Sequence, residues 1–231
     1  MSHRHRPVTL CGQRVTCHHL CMFTESADEQ YRILNPFFAE GLAAGEEVLT
    51  IVDGPLRETH VRRMREGGVP VADAMDGDQL RILASEDTYG HDGTFAAERM
   101  YALLENVMEQ ASRGPSGWLR ITGDAGWVLR DIQGCEELMA YEAKVNLLAP
   151  RYDCTVLCVY DINQCSGQVV ADALATHSHV ILGGRLHQNP HYMEPLEFLK
   201  KIALQRTHSS PLRAPAGPDS DFQSAAPGST D

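Results

Sequence analysis

Between Thr16 and about Gln205 the chain alternates short apolar runs with stretches of helical period. His18 to Phe23 (His-His-Leu-Cys-Met-Phe) predicts a first strand, and Ser26-Ala-Asp-Glu29 is a capping box that opens a helix. Pro36 is expected to kink that helix and Gly45 to end it. The β-branched run Val48 to Val52 predicts a second strand, followed after Asp53-Gly54-Pro55 by a helix through Leu56, His60, Val61 and Met64. Leu80 to Leu83, Trp118 to Thr122, Thr155 to Tyr160 and His179 to Leu182 predict four more strands. Met100, Leu103, Leu104, Val107, Met108 and Ala111 form the best helical stripe. Further helices are expected over Glu136 to Leu148, Gln168 to Ala175 and Leu196 to Leu204. Alternation of this kind predicts an α/β fold, a mainly parallel sheet flanked by helices and covered on both faces.

The ends of the chain read differently. Residues 1–15 form an N-terminal segment outside the pattern, and 16–206 form one domain. From Thr207 to Asp231 the sequence is rich in Pro, Ser, Gly and Ala, with too little apolar surface to offset the entropy of ordering, so a disordered tail is expected.

Composition narrows the function. At 43% hydrophobic in 231 residues the chain can bury a core, which excludes global disorder. Its 20 Lys+Arg against 31 Asp+Glu leave a net charge of −11, which opposes direct binding to nucleic acid or to an anionic membrane. No run reaches the ~20 apolar residues of a bilayer span, and the N-terminus lacks a signal-like apolar core. A cytoplasmic protein with seven reduced cysteines is the expectation.

A phosphate-binding loop needs Gly-x4-Gly-Lys-[Ser/Thr]. The three lysines, Lys144, Lys200 and Lys201, do not follow glycine, and the first strand runs into the acidic Thr24-Glu-Ser-Ala-Asp-Glu29. Nucleotide hydrolysis is therefore not expected, and no nucleophile elbow is present. Asp53, Asp87, Asp124 and Asp161 recur at the carboxyl ends of strands, either as an acidic rim or as caps of the following loops. Cys17 and Cys21 have metal-pair spacing but would lie about 13 Å apart on a strand, as would Cys154 and Cys158. His19 and Cys21 share a strand face and with Phe23 line a metal site, a ligand pocket or plain core. His187 and His191 are separated by Pro190, which rules out a helical metal pair. Aromatics Tyr89, Phe95, Trp127, Tyr141 and Tyr160 gather near the strand ends, where open α/β sheets bind ligands.

In order and spacing, several segments resemble one family. They are His19 to Phe23, Pro36 to Glu46, Gln79 to Leu83, Asp87-Thr-Tyr89, Gly93-Thr-Phe95, Gly123 through Trp127, Tyr141-Glu142, Asn146, Cys158 to Asp161 and His177. Together they resemble the MEDS domain, the sensory domain of methanogen and methylotroph regulators, over about Thr16 to Gly184. Thr24 stands where the family usually has Tyr, and Asp124-Ala-Gly-Trp127 replaces a more usual Glu-Met-x-Trp.

The resemblance implies a RecA-like or KaiC-like three-layer fold that has lost the phosphate loop. It implies a non-catalytic sensory domain for a small molecule, such as a simple hydrocarbon derivative, within transcriptional or signal-transduction control. A ligand site of His19, Cys21, Phe23, Tyr89, Trp127, Tyr141, Glu142 and Tyr160 is expected, with no cofactor. Relatives often carry a DNA-binding or kinase region, and the residues left over here are too few for one. Output through a partner kinase or transcription regulator is therefore expected, with self-association left open. The rival reading is a metal, haem or redox sensor using His19, Cys21 and nearby thiols; the other is an enzyme on a divergent scaffold.

Overall fold

A computed structural model describes residues 6–88, 94–126 and 133–208. A seven-stranded sheet is built from β3 (His19–Thr24), β4 (Glu47–Val52), β5 (Leu80–Ala84), β6 (Leu119–Asp124), β7 (Cys154–Asp161), β8 (His179–Leu182) and β9 (Arg185–Gln188). Its order is β5-β4-β6-β7-β3-β8-β9, parallel throughout except for the β8–β9 hairpin. All six residues of β3 are buried, as a central parallel strand requires.

The pleat sorts side chains into two layers. Cys21, Phe23, Ile121, Val156, Cys158 and Tyr160 face α5 (Ala97–Ser112), α6 (Leu138–Leu148) and α7 (Gly167–Thr176). Leu20, Met22, Val48, Ile82, Leu157 and Val159 face α1 (Ala27–Ala43), α2 (Arg57–Glu66) and α3 (Val71–Asp76). A short α4 (Ser85–Thr88) follows β5, and α8 (Pro195–His208) seats Phe198 against Ala143 of α6 and Ala175 of α7. The fold is the three-layer α/β sandwich expected from the sequence, and no described helix is long and apolar enough to cross a membrane.

The helix boundaries follow their signals. Ser26 accepts from the Glu29 N–H at 3.2 Å, and Glu29 reaches back to the Glu25 N–H at 2.9 Å, so the capping box starts α1. That helix continues through Pro36 and ends before Gly45, whose φ of +76° suits the left-handed exit.

Two hairpins were not foreseen. β1 (Val8–Leu10) and β2 (Gln13–Val15) turn through Cys11 and Gly12, both at positive φ, and β8 turns into β9 through Gly183 and Gly184. Val8, Leu10 and Val15 are buried in the layer with α1. Packing thus carries the body back to Val8, before the expected start at residue 16. At the other end α8 runs to His208, past residue 206; the rest of the expected tail, 209–231, lies outside the described residues.

Candidate functional site

Four side chains meet beneath α6. His19 opens β3, Cys158 lies in the middle of β7, Glu142 projects from α6, and His177 follows the last turn of α7. All four are buried, and their ligating atoms lie within 4.8 Å of one another. His19 Nε2 is 3.1 Å from Glu142 Oε2 and 3.3 Å from Cys158 Sγ. Cys158 Sγ lies 3.4 Å from the same carboxylate oxygen, and His177 Nε2 lies 3.6 Å from it. The two imidazoles stack at a tilt with centroids 4.1 Å apart. Tyr160 donates its hydroxyl to Glu142 Oε1 at 3.3 Å.

The elements around the group fix which nitrogen of each ring carries the proton. Asn146, one turn beyond Glu142 on α6, donates its amide to the carbonyls of Glu142 (3.2 Å) and Thr176 (2.6 Å). That orients Asn146 Oδ1 as an acceptor, 3.1 Å from His19 Nδ1. His177 Nδ1 lies 2.7 Å from the Ala173 carbonyl, which can only accept. Both Nδ1 atoms therefore carry a proton; His177 Nε2 is left as an inward-facing lone pair, and His19 Nε2 faces Glu142 and Cys158. Asn189 secures the far side by donating to the carbonyls of Leu174 and His177.

Burial sets the charges. It pushes His177 down to about 3, helped by neighbouring His19, so His177 is neutral at ordinary pH. It would raise the Glu142 carboxyl, but the hydrogen bonds with His19 and Cys158 help hold the group below the usual carboxylate range. The Cys158 thiol and the Tyr160 hydroxyl are pushed well up, by burial first and by the Glu142 charge second.

Glu142 and Cys158 also border a cavity of about 20 Å³, room for one water-sized occupant. Ile51, Leu104, Ile121, Leu138, Tyr141 and Val145 supply apolar walls, and Gly123, Asp124 and Ala125 close it at the carboxyl end of β6. The site therefore reaches the strand ends but is centred under α6, deeper in the sheet than the expected rim.

Of the expected site residues, His19, Cys21, Phe23, Tyr141, Glu142 and Tyr160 share this one layer. Phe23 stacks on Tyr160 with centroids 5.3 Å apart, and Tyr141 meets Phe95 edge-on. Tyr89 and Trp127 lie outside the described residues. Cys21, the thiol expected beside His19, is absent from the ligating group and packs in the core. The thiol in reach of His19 is Cys158, which sits opposite Cys21 in the parallel register. Cys158, His177 and Asn146 were not singled out as site residues, although all three stand among the segments that carried the family resemblance.

The recurring acids separate. Asp53, Asp124 and Asp161 line a second cavity of about 360 Å³ at the strand ends, whereas Asp87 falls within α4. Asp124 accepts from the Gly126 N–H and Asp161 from the Asn163 N–H, so both also cap the loops that follow. Thr24 and Ser26 line the same cavity, and only Glu25 and Ser26 separate β3 from α1. Two residues cannot form a loop that wraps phosphates.

The family model described as the methanogen/methylotroph, DcmR sensory domain (MEDS) matches residues 18–178. The transcriptional repressor DcmR of Methylorubrum extorquens is 25% identical over 170 residues, which cover 73% of this chain and 61% of that protein. The match thus spans about three-fifths of the relative's length. Among solved structures, a KaiC-like protein from Pyrococcus horikoshii superposes with a TM-score of 0.51 at 11% identity, covering 71% of this chain and 69% of that one. That likeness shows the fold alone.

Proposed function

The chain belongs to the MEDS sensory-domain family, and on that premise we propose that it is a non-catalytic cytoplasmic sensor that binds a small molecule, such as a simple hydrocarbon derivative. It passes its state to a partner kinase or transcription regulator. The observation that carries this reading is the small apolar cavity bordered by Glu142 and Cys158. Apolar walls with a few convergent polar groups suit a compact, weakly polar ligand, and because the cavity holds one water-sized occupant, a larger ligand enters by displacing α6. An occupant would press on Leu138, Tyr141 and Val145 of α6, and α6 packs on both α7 and α8. A shift of α6 therefore has a direct route to the surface.

Support for the absence of nucleotide chemistry is separate. The two-residue connection after β3, the missing lysine and the carboxylates of Asp53, Asp124 and Asp161 all oppose a triphosphate.

The test is calorimetric titration of the purified chain with short-chain chlorinated, hydroxylated and carbonyl compounds, beside Mg-ATP. At least one organic compound should bind saturably and raise the melting temperature by mass action. Mg-ATP should do neither. Binding by none of the compounds, chemical turnover of one of them, or micromolar Mg-ATP affinity would overturn the reading.

A further inference from the structure

We propose that His19, Cys158, His177 and Glu142 form a divalent transition-metal site, zinc-like in its preference. The inference stands apart from the sensory reading, because it depends on the ligating atoms alone.

Three features of the geometry point to it. Zinc bonds of about 2.0–2.3 Å to nitrogen, oxygen and sulfur place tetrahedral ligand atoms about 3.3–3.7 Å apart. Four of the six edges of this group run 3.1, 3.3, 3.4 and 3.6 Å and the other two lie within 4.8 Å, so the cage closes when the His177 ring moves inward by about 1 Å. Next, both imidazoles are held through Nδ1 by a carbonyl-type acceptor, Asn146 for His19 and Ala173 for His177. Metal-ligating histidines are oriented in this way, with Nε2 left as the donor to the ion. Finally, His177 Nε2 is fully buried and makes no hydrogen bond. A buried polar atom without a partner is uncommon in a native core and calls for an occupant.

Charge selects the ion. A divalent cation with one thiolate, one carboxylate and two neutral imidazoles sums to zero, the balance a closed interior requires. On binding, the Cys158 thiol releases its proton to solvent and its sulfur becomes a ligand, with no change in oxidation state. A monovalent ion would leave a net negative charge, and a hard cation such as magnesium or calcium prefers oxygen to sulfur and nitrogen. Glu142 and Cys158 are the donors that also border the small cavity, so an occupant there would touch the ion's shell.

Cobalt(II) is the probe, because it reports tetrahedral geometry and thiolate ligation in its absorption spectrum. The chelator-treated full chain should take up one equivalent, with intense visible bands and a near-ultraviolet sulfur-to-cobalt band. Cys158→Ser should abolish the sulfur band, and His177→Leu should weaken binding at least tenfold. Asn146→Leu should weaken it about 10–100-fold through the outer shell. Cys21→Ala should leave both spectrum and stoichiometry intact. Circular dichroism checks that each variant folds. Where one does not, X-ray absorption of the wild-type cobalt protein decides by its nitrogen, oxygen and sulfur count. No uptake by the folded wild-type chain overturns the proposal. So does a sulfur band that survives Cys158→Ser, or a shell without sulfur. Organic-ligand binding measured separately with and without metal distinguishes this failure from failure of the sensory reading.

Discussion

The sheet carries a buried polar group on each face, and the two are built on opposite rules. On the face of α1 and α2, His60 has Tyr31 Oη 2.7 Å from Nδ1 and Thr50 Oγ1 3.2 Å from Nε2, and Thr122 extends the chain from Thr50. Beside it, Arg120 gives Nε to Glu46 at 2.5 Å and Nη1 to both the Phe37 carbonyl and Glu40. Gly41 makes room, since a Cβ there would lie 2.6 Å from Arg120 Nε. Glu40 in turn holds Thr9 of the first hairpin. Partners there are matched, hydroxyl to imidazole and cation to carboxylate. On the face of α6 and α7, two imidazole nitrogens converge on one carboxylate oxygen, and one of them, His177 Nε2, is left without a hydrogen bond. Matched groups hold a structure together. A buried acceptor without a donor lowers stability unless a cation joins it, which is how a site differs from a core contact.

The largest expected effect breaks the matched side. Arg120→Met leaves Glu46, 4% exposed, with its carboxylate uncompensated. A loss of about 3–5 kcal/mol in urea unfolding is expected. A loss below about 1 kcal/mol would mean that the ion pair contributes little and that matching does not distinguish the two faces.

Acid titration comes next. Burial lowers His60 to about 4 from its usual 6.5. Between those values the unfolded chain binds a proton that the folded chain refuses, so stability is full above pH 6.5 and falls as the pH drops towards 4. The contribution lost over that window is about 3 kcal/mol. Stability measured at intervals from pH 7 to 4 should show it, and His60→Leu should remove that share of the fall, leaving the share that buried His177, lowered to about 3, adds over the same range. At pH 7 the same substitution should cost about 1–3 kcal/mol, because it strips a partner from Tyr31 and Thr50. Stability unchanged by His60→Leu would place His60 with the unmatched group.

How far the sequence anticipated these two faces depends on the kind of signal each residue sends. The strands and the α5 stripe were legible because apolar periodicity is local, and Ser26-Ala-Asp-Glu29 named its own helix start. Cys11-Gly12 and Gly183-Gly184 are turn pairs, but the strands of the first hairpin are three residues long and the return strand β9 is mostly exposed, so neither leaves an apolar period to read. The family resemblance led to His19, Tyr141, Glu142 and Tyr160. Pairing His19 with Cys21 reflected strand spacing, which sees along one strand and not across the sheet. Cys158 reaches His19 only because β7 lies beside β3, a crossover 139 positions apart in sequence. His177 arrives from the end of α7 in the same way. Arg120 showed nothing unusual in a strand motif, since its buried partners lie on α1 and in the turn before β4.

The smallest effect is the sharpest test of the contrast. His177→Leu in chelator-treated protein removes the hydrogen bond from Nδ1 to the Ala173 carbonyl and the ring contact with His19. Each loss has an offset. The Ala173 carbonyl keeps Thr176 Oγ1 at 3.2 Å, so no new buried acceptor is stranded. The substitution also removes the unpartnered Nε2, whose burial alone costs about 1–3 kcal/mol, and leucine fills a similar volume. The net change in urea unfolding at pH 7 should therefore stay within about 1 kcal/mol, smaller than for His60→Leu despite deeper burial. A loss above about 2 kcal/mol would show that His177 holds the metal-free fold together as His60 does. In that case the two faces obey one rule, and the convergence under α6 is packing.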